Sequence, residues 1–315
     1  MHQLFRYIQL KVAVAIIRFL LGWKQCLAAR RDIALGQDIG REKVSIRSRD
    51  LKRYIDGWLY YPPGYSAASP PAAKLPILVN WHGSGYVVPS LGTDVAFCAL
   101  VARSLGIFVL DADYRKSPET PFPGAICDVE DVLAWIEGQG DDFELTRVAV
   151  SGFSAGGALA LVAASVLKKS RTQSMLQIPV VVAMYPPTDL SIAAEAKTVP
   201  NPQKIIPAPV ARVICDCYVP DLATRKDPRV SPGLANPHDF PDTVAILTCS
   251  GDTLSPEANA LASKLHDGKR KVVNITLEGV YHAFDKGCAR ETIEWKQREL
   301  AYSLAIKTIK EGLCL

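Results

Sequence analysis

Hydrolytic chemistry without a metal needs an oxygen that attacks, a base that moves its proton, and an acid that orients the base. Gly152-Phe153-Ser154-Ala155-Gly156 offers the attacking oxygen. It matches G-x-S-x-G, in which a sharp strand-to-helix turn thrusts the serine outward and glycines stand where the two backbones nearly touch. About one random chain of this length in ten would carry such a pentad, so context decides. The apolar run Val148–Val150 precedes it and the Ala/Leu-rich stretch Ala155–Leu167 follows, as a strand–turn–helix requires. A Gly-rich turn without chemistry is the weaker reading.

The base must be a histidine, whose pKa lets it take and return a proton near neutrality. Of five histidines, His2 is terminal, His82 belongs to a glycine-rich loop, and His238 and His266 sit in polar surroundings. His282, in Gly279-Val280-Tyr281-His282-Ala283-Phe284, directly follows the last strand-like run. Asp252, in Ser250-Gly251-Asp252-Thr253-Leu254, lies 30 residues before it and fits the order nucleophile, acid, base. Asp189 follows the preceding run and competes for the same role. A loop Asp is by default a turn-former, so neither stands alone; Asp252 is preferred.

Charge that develops during acyl transfer needs aimed donors, each worth about 3–4 kcal/mol of barrier in a dry site. Trp81-His82-Gly83-Ser84-Gly85-Tyr86 follows the run Leu75–Trp81 and can supply them. The expected oxyanion hole is the loop Gly83-Ser84-Gly85, through the N–H groups of Ser84 and Gly85, with the N–H of Ala155 completing it. An ordinary strand-to-loop turn is the bland alternative. Tyr86 and Phe153 are expected to line an apolar substrate pocket.

These residues need a scaffold. From about residue 43 short apolar runs alternate with helical patterns, the mark of a wound α/β sheet. Lys43–Arg47 and Tyr54–Tyr61 alternate in period two and read as an opening antiparallel pair. Leu75–Trp81, Ile107–Leu110, Val148–Val150, Val180–Met184, Val244–Leu247 and Val272–Leu277 are continuous aliphatic runs suited to strands buried on both faces. Ile126, Val129, Leu133 and Ile136 share one helix face, and a last helix runs from about Glu291. The spacing predicts an eight-stranded, mostly parallel sheet with helices on both faces. Residues 190–240 exceed any crossover and hold eight scattered prolines, Pro200, Pro202, Pro207, Pro209 and Pro220 among them, as a lid or binding loop would.

The chain has 315 residues, 49% hydrophobic and 22% charged, enough for a sizeable core. Its net charge of +4 is uneven. Residues 1–53 carry twelve Lys/Arg against four Asp/Glu, a net of +8, so the rest is near −4. No basic stripe interleaved with aromatics is present, which argues against nucleic-acid binding. Eight cysteines show no disulfide framework, and Cys215-Asp216-Cys217 lacks a second pair at zinc spacing. No metal or organic cofactor is expected, and a reduced cytoplasmic location is favoured.

Residues 1–31 hold six Lys/Arg and no acidic residue around the apolar stretch Leu4–Trp23. Arg6, Lys11 and Arg18 interrupt it, so a span of about 20 apolar residues is missing, and Arg18 spoils a signal-peptide core. A lid helix is the first reading. Peripheral contact with an anionic membrane and an organellar presequence are the others. The predicted organisation is a helical cap segment over 1–42 and a core over 43–315 that carries a cap insertion at about 190–240.

Together the HGSG loop, Asp111-Ala112-Asp113-Tyr114-Arg115, Ser117-Pro118-Glu119, Phe122-Pro123 with Asp128 and Asp131, GFSAGG, Asp252-Thr253-Leu254 and His282 resemble the hormone-sensitive-lipase family of α/β-hydrolases. The likeness spans roughly residues 75–285, and fungal members, some from secondary metabolism, are most similar over Val79–Ile136. It implies an α/β-hydrolase fold, a cap made of N-terminal helices and the insertion after the sixth strand, and hydrolysis of a small to medium hydrophobic ester through an acyl-enzyme. Three departures stand out: Ser84 for the second glycine of His-Gly-Gly-Gly, Phe153 where the family often has Asp, and Ala283 where Gly follows the histidine. The same triad would serve acyl transfer, lactone opening or amide cleavage, and a non-catalytic ligand-binding homologue is the remaining alternative. Oligomeric state is open.

Overall fold

A computed structural model describes residues 2–66, 73–170 and 174–315. Its elements run α1 (His2–Leu35), β1 (Arg41–Arg47), β2 (Tyr54–Tyr60), β3 (Leu75–Trp81), α2 (Val95–Leu105), β4 (Phe108–Ala112), α3 (Gly124–Gly138), β5 (Phe143–Phe153), α4 (Ala155–Ala164), α5 (Val166–Ser170), β6 (Val180–Met184), α6 (Ala208–Tyr218), β7 (Thr243–Cys249), α7 (Ser255–Leu265), β8 (Lys271–Leu277) and α8 (Ile293–Gly312).

All eight expected strands form one sheet, in the order β1-β2-β4-β3-β5-β6-β7-β8. β1 pairs β2 and β2 pairs β4 antiparallel; every later pairing is parallel. The central runs are buried along their whole length, as in β6 and β7, because helices cover both faces. β8, at the edge, is exposed or half-buried at every position before Leu277 and carries Lys271 and Asn274 at exposed positions. One apolar cluster packs α3 and α4 on one face of the sheet, and another packs α2 and α8 on the other.

The helix expected over Ala155–Leu167 divides at Ser165. Its hydroxyl donates to the Leu161 carbonyl at 2.6 Å and the backbone leaves helical geometry, φ −119° and ψ −85°. A side chain bonded four residues back competes with the helix ladder. α1 runs twelve residues beyond the apolar stretch that announced it, to Leu35.

Asp128 and Asp131 serve the scaffold. Asp128 takes both guanidinium nitrogens of Arg53 at 2.6 Å and the Arg115 N–H at 2.7 Å, and Asp131 binds Ser48 and Arg49. The two stretches expected to form a cap meet each other. Val14 of α1 packs with Val87, Val88 and Cys217, and Ile214 of α6 lies where a Cβ on Gly85 would be 3.3 Å from it.

Candidate active site

Ser154 occupies a strained turn between β5 and α4, at φ 50° and ψ −121°. The turn closes because its glycines have no side chains. A Cβ on Gly156 would lie 1.9 Å from the Trp81 carbonyl oxygen, and one on Gly152 would lie 2.2 Å from the Gly156 oxygen. Only glycine permits that approach. The Ser154 N–H donates to the Met184 carbonyl at 2.8 Å, fastening the turn to β6.

His282, in the turn after β8, places Nε2 2.8 Å from Ser154 Oγ and Nδ1 2.7 Å from Asp252 Oδ2. A carboxylate only accepts, so Nδ1 carries the hydrogen and Nε2 is left to accept from the serine hydroxyl. Asp252 follows β7, and its other oxygen accepts the Leu254 N–H at 3.1 Å. Asp189, the competitor, folds onto its own turn by accepting from the N–H and hydroxyl of Ser191, at 2.8 and 2.6 Å. The three side chains thus converge from the carboxyl ends of three parallel strands, where open α/β sheets present their ligand sites.

The loop after β3 lies against the serine: a Cβ on Gly83 would be 3.3 Å from Ser154 Cβ. Among the described residues, the N–H groups of Gly83, Ser84, Gly85 and Ala155 have no protein acceptor. Unpaired donors on a loop that lies against a serine are of the kind a developing negative oxygen needs.

Ser84 does not disturb this loop. Tyr114 spends its one hydroxyl hydrogen on the His82 carbonyl at 2.8 Å, so Ser84 Oγ, 2.6 Å away, donates to Tyr114 and accepts the Tyr86 N–H at 2.8 Å. That relay consumes the Tyr86 N–H and locks the loop. His82 is fully buried, with Nε2 2.9 Å from Asp113. Burial pulls the Asp113 carboxyl upward, but the hydrogen bond and charge of His82, with Lys116, hold it below its ordinary value.

Both expected pocket residues are buried, Tyr86 at 3% exposure and Phe153 at 1%. Tyr86 stacks on Tyr218 of α6 with ring centres 3.7 Å apart, tying the donor loop to residues 190–240. For Phe153 the expectation is corrected. Its side chain is 1% exposed and packs among Phe97, Tyr185 and Tyr302, beneath the serine rather than along a pocket. Period-two alternation turns Phe153 to the core as the elbow turns Ser154 out.

Behind Phe153 lies a buried ionic cluster that sequence reasoning missed. Lys286 Nζ sits 3.5 Å from the Phe153 ring centre, 2.7 Å from Asp94 and 2.8 Å from Asp285. Asp285 also accepts the hydroxyls of Tyr185 and Tyr302, at 2.6 and 2.8 Å. Tyr185 packs edge-on against His282, with centroids 4.9 Å apart. Burial drives the His282 imidazole down, but the charge and hydrogen bond of Asp252, helped by Asp285, raise it above its ordinary value. Asp285 stands three residues after His282, and that proximity was the only signal in the sequence.

A family model described as the alpha/beta hydrolase fold matches residues 78–286. The chain belongs to the α/β-hydrolase family. Ethyl acetate hydrolase of Pseudomonas putida is 30% identical to this α/β-hydrolase over 228 residues, 72% of this chain and 70% of that one. Versiconal hemiacetal acetate esterase of Dothistroma septosporum is 35% identical over 116 residues, 36% of this chain and 35% of that one. EstE1, a thermophilic carboxylesterase from a metagenomic library, has a TM-score of 0.79 at 24% identity, covering 95% of this chain and 97% of its own, which shows the shared fold. The family match and these relatives place this α/β-hydrolase among carboxylic ester hydrolases of the hormone-sensitive-lipase type.

Proposed function

We propose that the protein hydrolyses a short-acyl ester of a hydrophobic alcohol through an acyl-enzyme on Ser154. The observation that carries this reading is the unbroken line Asp252–His282–Ser154, at 2.7 and 2.8 Å, beside four unpaired N–H donors. His282 takes the serine proton as Oγ attacks the carbonyl carbon, and Asp252 stabilises the imidazolium that forms. The oxyanion rests on backbone N–H groups of Gly83, Ser84, Gly85 and Ala155. The imidazolium then protonates the departing alkoxide. Water, deprotonated by His282, attacks the acyl carbonyl and releases the carboxylic acid and free Ser154.

Two features favour a short acyl group. Ser154 is only 9% exposed, beneath a loop braced by the Tyr86–Tyr218 stack, and two relatives bear acetate esters in their names. The match to a fungal acetate esterase supports an ester of secondary metabolism as the class of substrate. Residues 1–42 and 190–240 act in this reading as the cap over the serine.

Ser154→Ala should lower kcat/KM for p-nitrophenyl acetate by about a thousandfold or more and abolish labelling by a fluorophosphonate. A mutant that keeps its rate refutes the mechanism. Wild-type preference for p-nitrophenyl decanoate over the acetate would refute the short-acyl assignment alone.

A further inference from the structure

α1 turns its charged side inward. Arg6 meets Asp216 at 2.9 Å, Lys11 meets Glu119 at 2.6 Å, and Arg18 reaches Glu119 at 2.7 Å and the carbonyls of Val87 and Ser117 at 2.7 and 3.0 Å. Between these pairs Leu10, Val14 and Ile17 pack against Val87, Val88 and Cys217. At about 100° per residue, Phe5, Ile8, Val12, Ile16, Phe19 and Leu20 fall in an arc of about 120° on the opposite side, over roughly 22 Å of helix. Each is between 50% and 75% exposed. A helix of a water-soluble protein ordinarily buries its apolar stripe. Here ion pairs and a second apolar contact fix the stripe outward.

We propose that this outward face of α1 is a docking surface for a lipid bilayer carrying anionic headgroups. Charge selects that occupant. Arg6, Lys11 and Arg18 are spent on the body, but Arg30 is exposed within the same arc and residues 1–31 hold no acid, so anionic headgroups complement this face. Among the described residues no helix is long and apolar enough to cross a membrane, so α1 lies in the interface with its apolar side chains in the acyl boundary. The inference stands apart from the ester reading.

Flotation of the full chain with vesicles tests it. Wild type should rise with phosphatidylcholine vesicles containing about 30 mol% phosphatidylserine and bind phosphatidylcholine alone more weakly. In the variant Ile8→Gln/Val12→Gln/Ile16→Gln/Phe19→Gln the bound fraction should fall about tenfold or more, with the thermal melt unchanged. Ile16→Gln/Phe19→Gln should fall between the two. Wild type that stays below the gradient overturns the proposal. So does a quadruple variant that floats equally well, or a wild-type dimer in sedimentation that the quadruple variant dissolves.

Discussion

The two sides of Phe153 are built on opposite principles. In front, around Ser154, four N–H groups have no protein acceptor among the described residues and the serine backbone is strained. Behind, around Lys286, the ammonium pairs with two carboxylates, one of which also accepts two phenol hydroxyls, in a region the solvent barely reaches. Unpaired donors are costly in a folded chain, and here they are concentrated where a reacting oxygen would complete them. The paired charges behind hold the histidine turn so that the front needs no rearrangement. In the proposed mechanism, preorganisation would rest on a region that never touches the ester.

The contrast breaks most sharply at Lys286. Lys286→Met leaves Asp94 and Asp285 buried without their cation, and loss of one partner of such a group costs about 3–5 kcal/mol. Urea unfolding should show that loss, whereas Ser154→Ala silences the front with the fold intact. An unchanged midpoint for Lys286→Met would mean the cluster contributes nothing to the scaffold.

Asp285→Asn sharpens the link between the two sides. Activity requires neutral His282 and fails as pH falls through its pKa. Because Asp285 helps hold that pKa up, removing its charge should move the acid limb of kcat/KM to lower pH. A limb that stays in place or moves up would disconnect the rear cluster from the base.

The smallest effect is expected at Ser84. Ser84→Ala cuts the relay from Tyr86 to Tyr114 but leaves the backbone donors, so kcat should fall by about tenfold or less, the worth of one hydrogen bond. A loss above about a hundredfold would show that the Ser84 hydroxyl itself faces the oxyanion.

Much of this architecture could be read in the chain. Leu75–Trp81 and Val180–Met184 are strands at the boundaries their aliphatic runs announce, because burial on both faces leaves a continuous signal. The convergence of Ser154, Asp252 and His282 was legible for a different reason: each stands within a few residues of the end of such a run, and the parallel strands bring those ends together. What escaped was whatever depends on side-chain direction. Phe153 reads as a pocket residue beside the serine until the elbow's geometry sends the neighbours to opposite sides. Asp285 and Lys286 carry no pattern in the chain, and only three-dimensional packing against Asp94, Tyr185 and Tyr302 reveals them as interior. Ser165 broke its helix through a local bond that composition does not display.

One more consequence follows from the junction of α1 with the turn after His282. Asp32 accepts the Gly287 N–H at 2.7 Å and meets Arg298 of α8 at 2.9 Å, both in the interior, and a Cβ on Gly287 would be 2.5 Å from Ala28. The long helix is therefore a strut bolted to the same turn that holds the base. Displacing it would pull on the segment that carries His282. In the proposed reading of these stretches as a cap, a guest would enter on the 190–240 side, with α1 as the fixed jamb of that door.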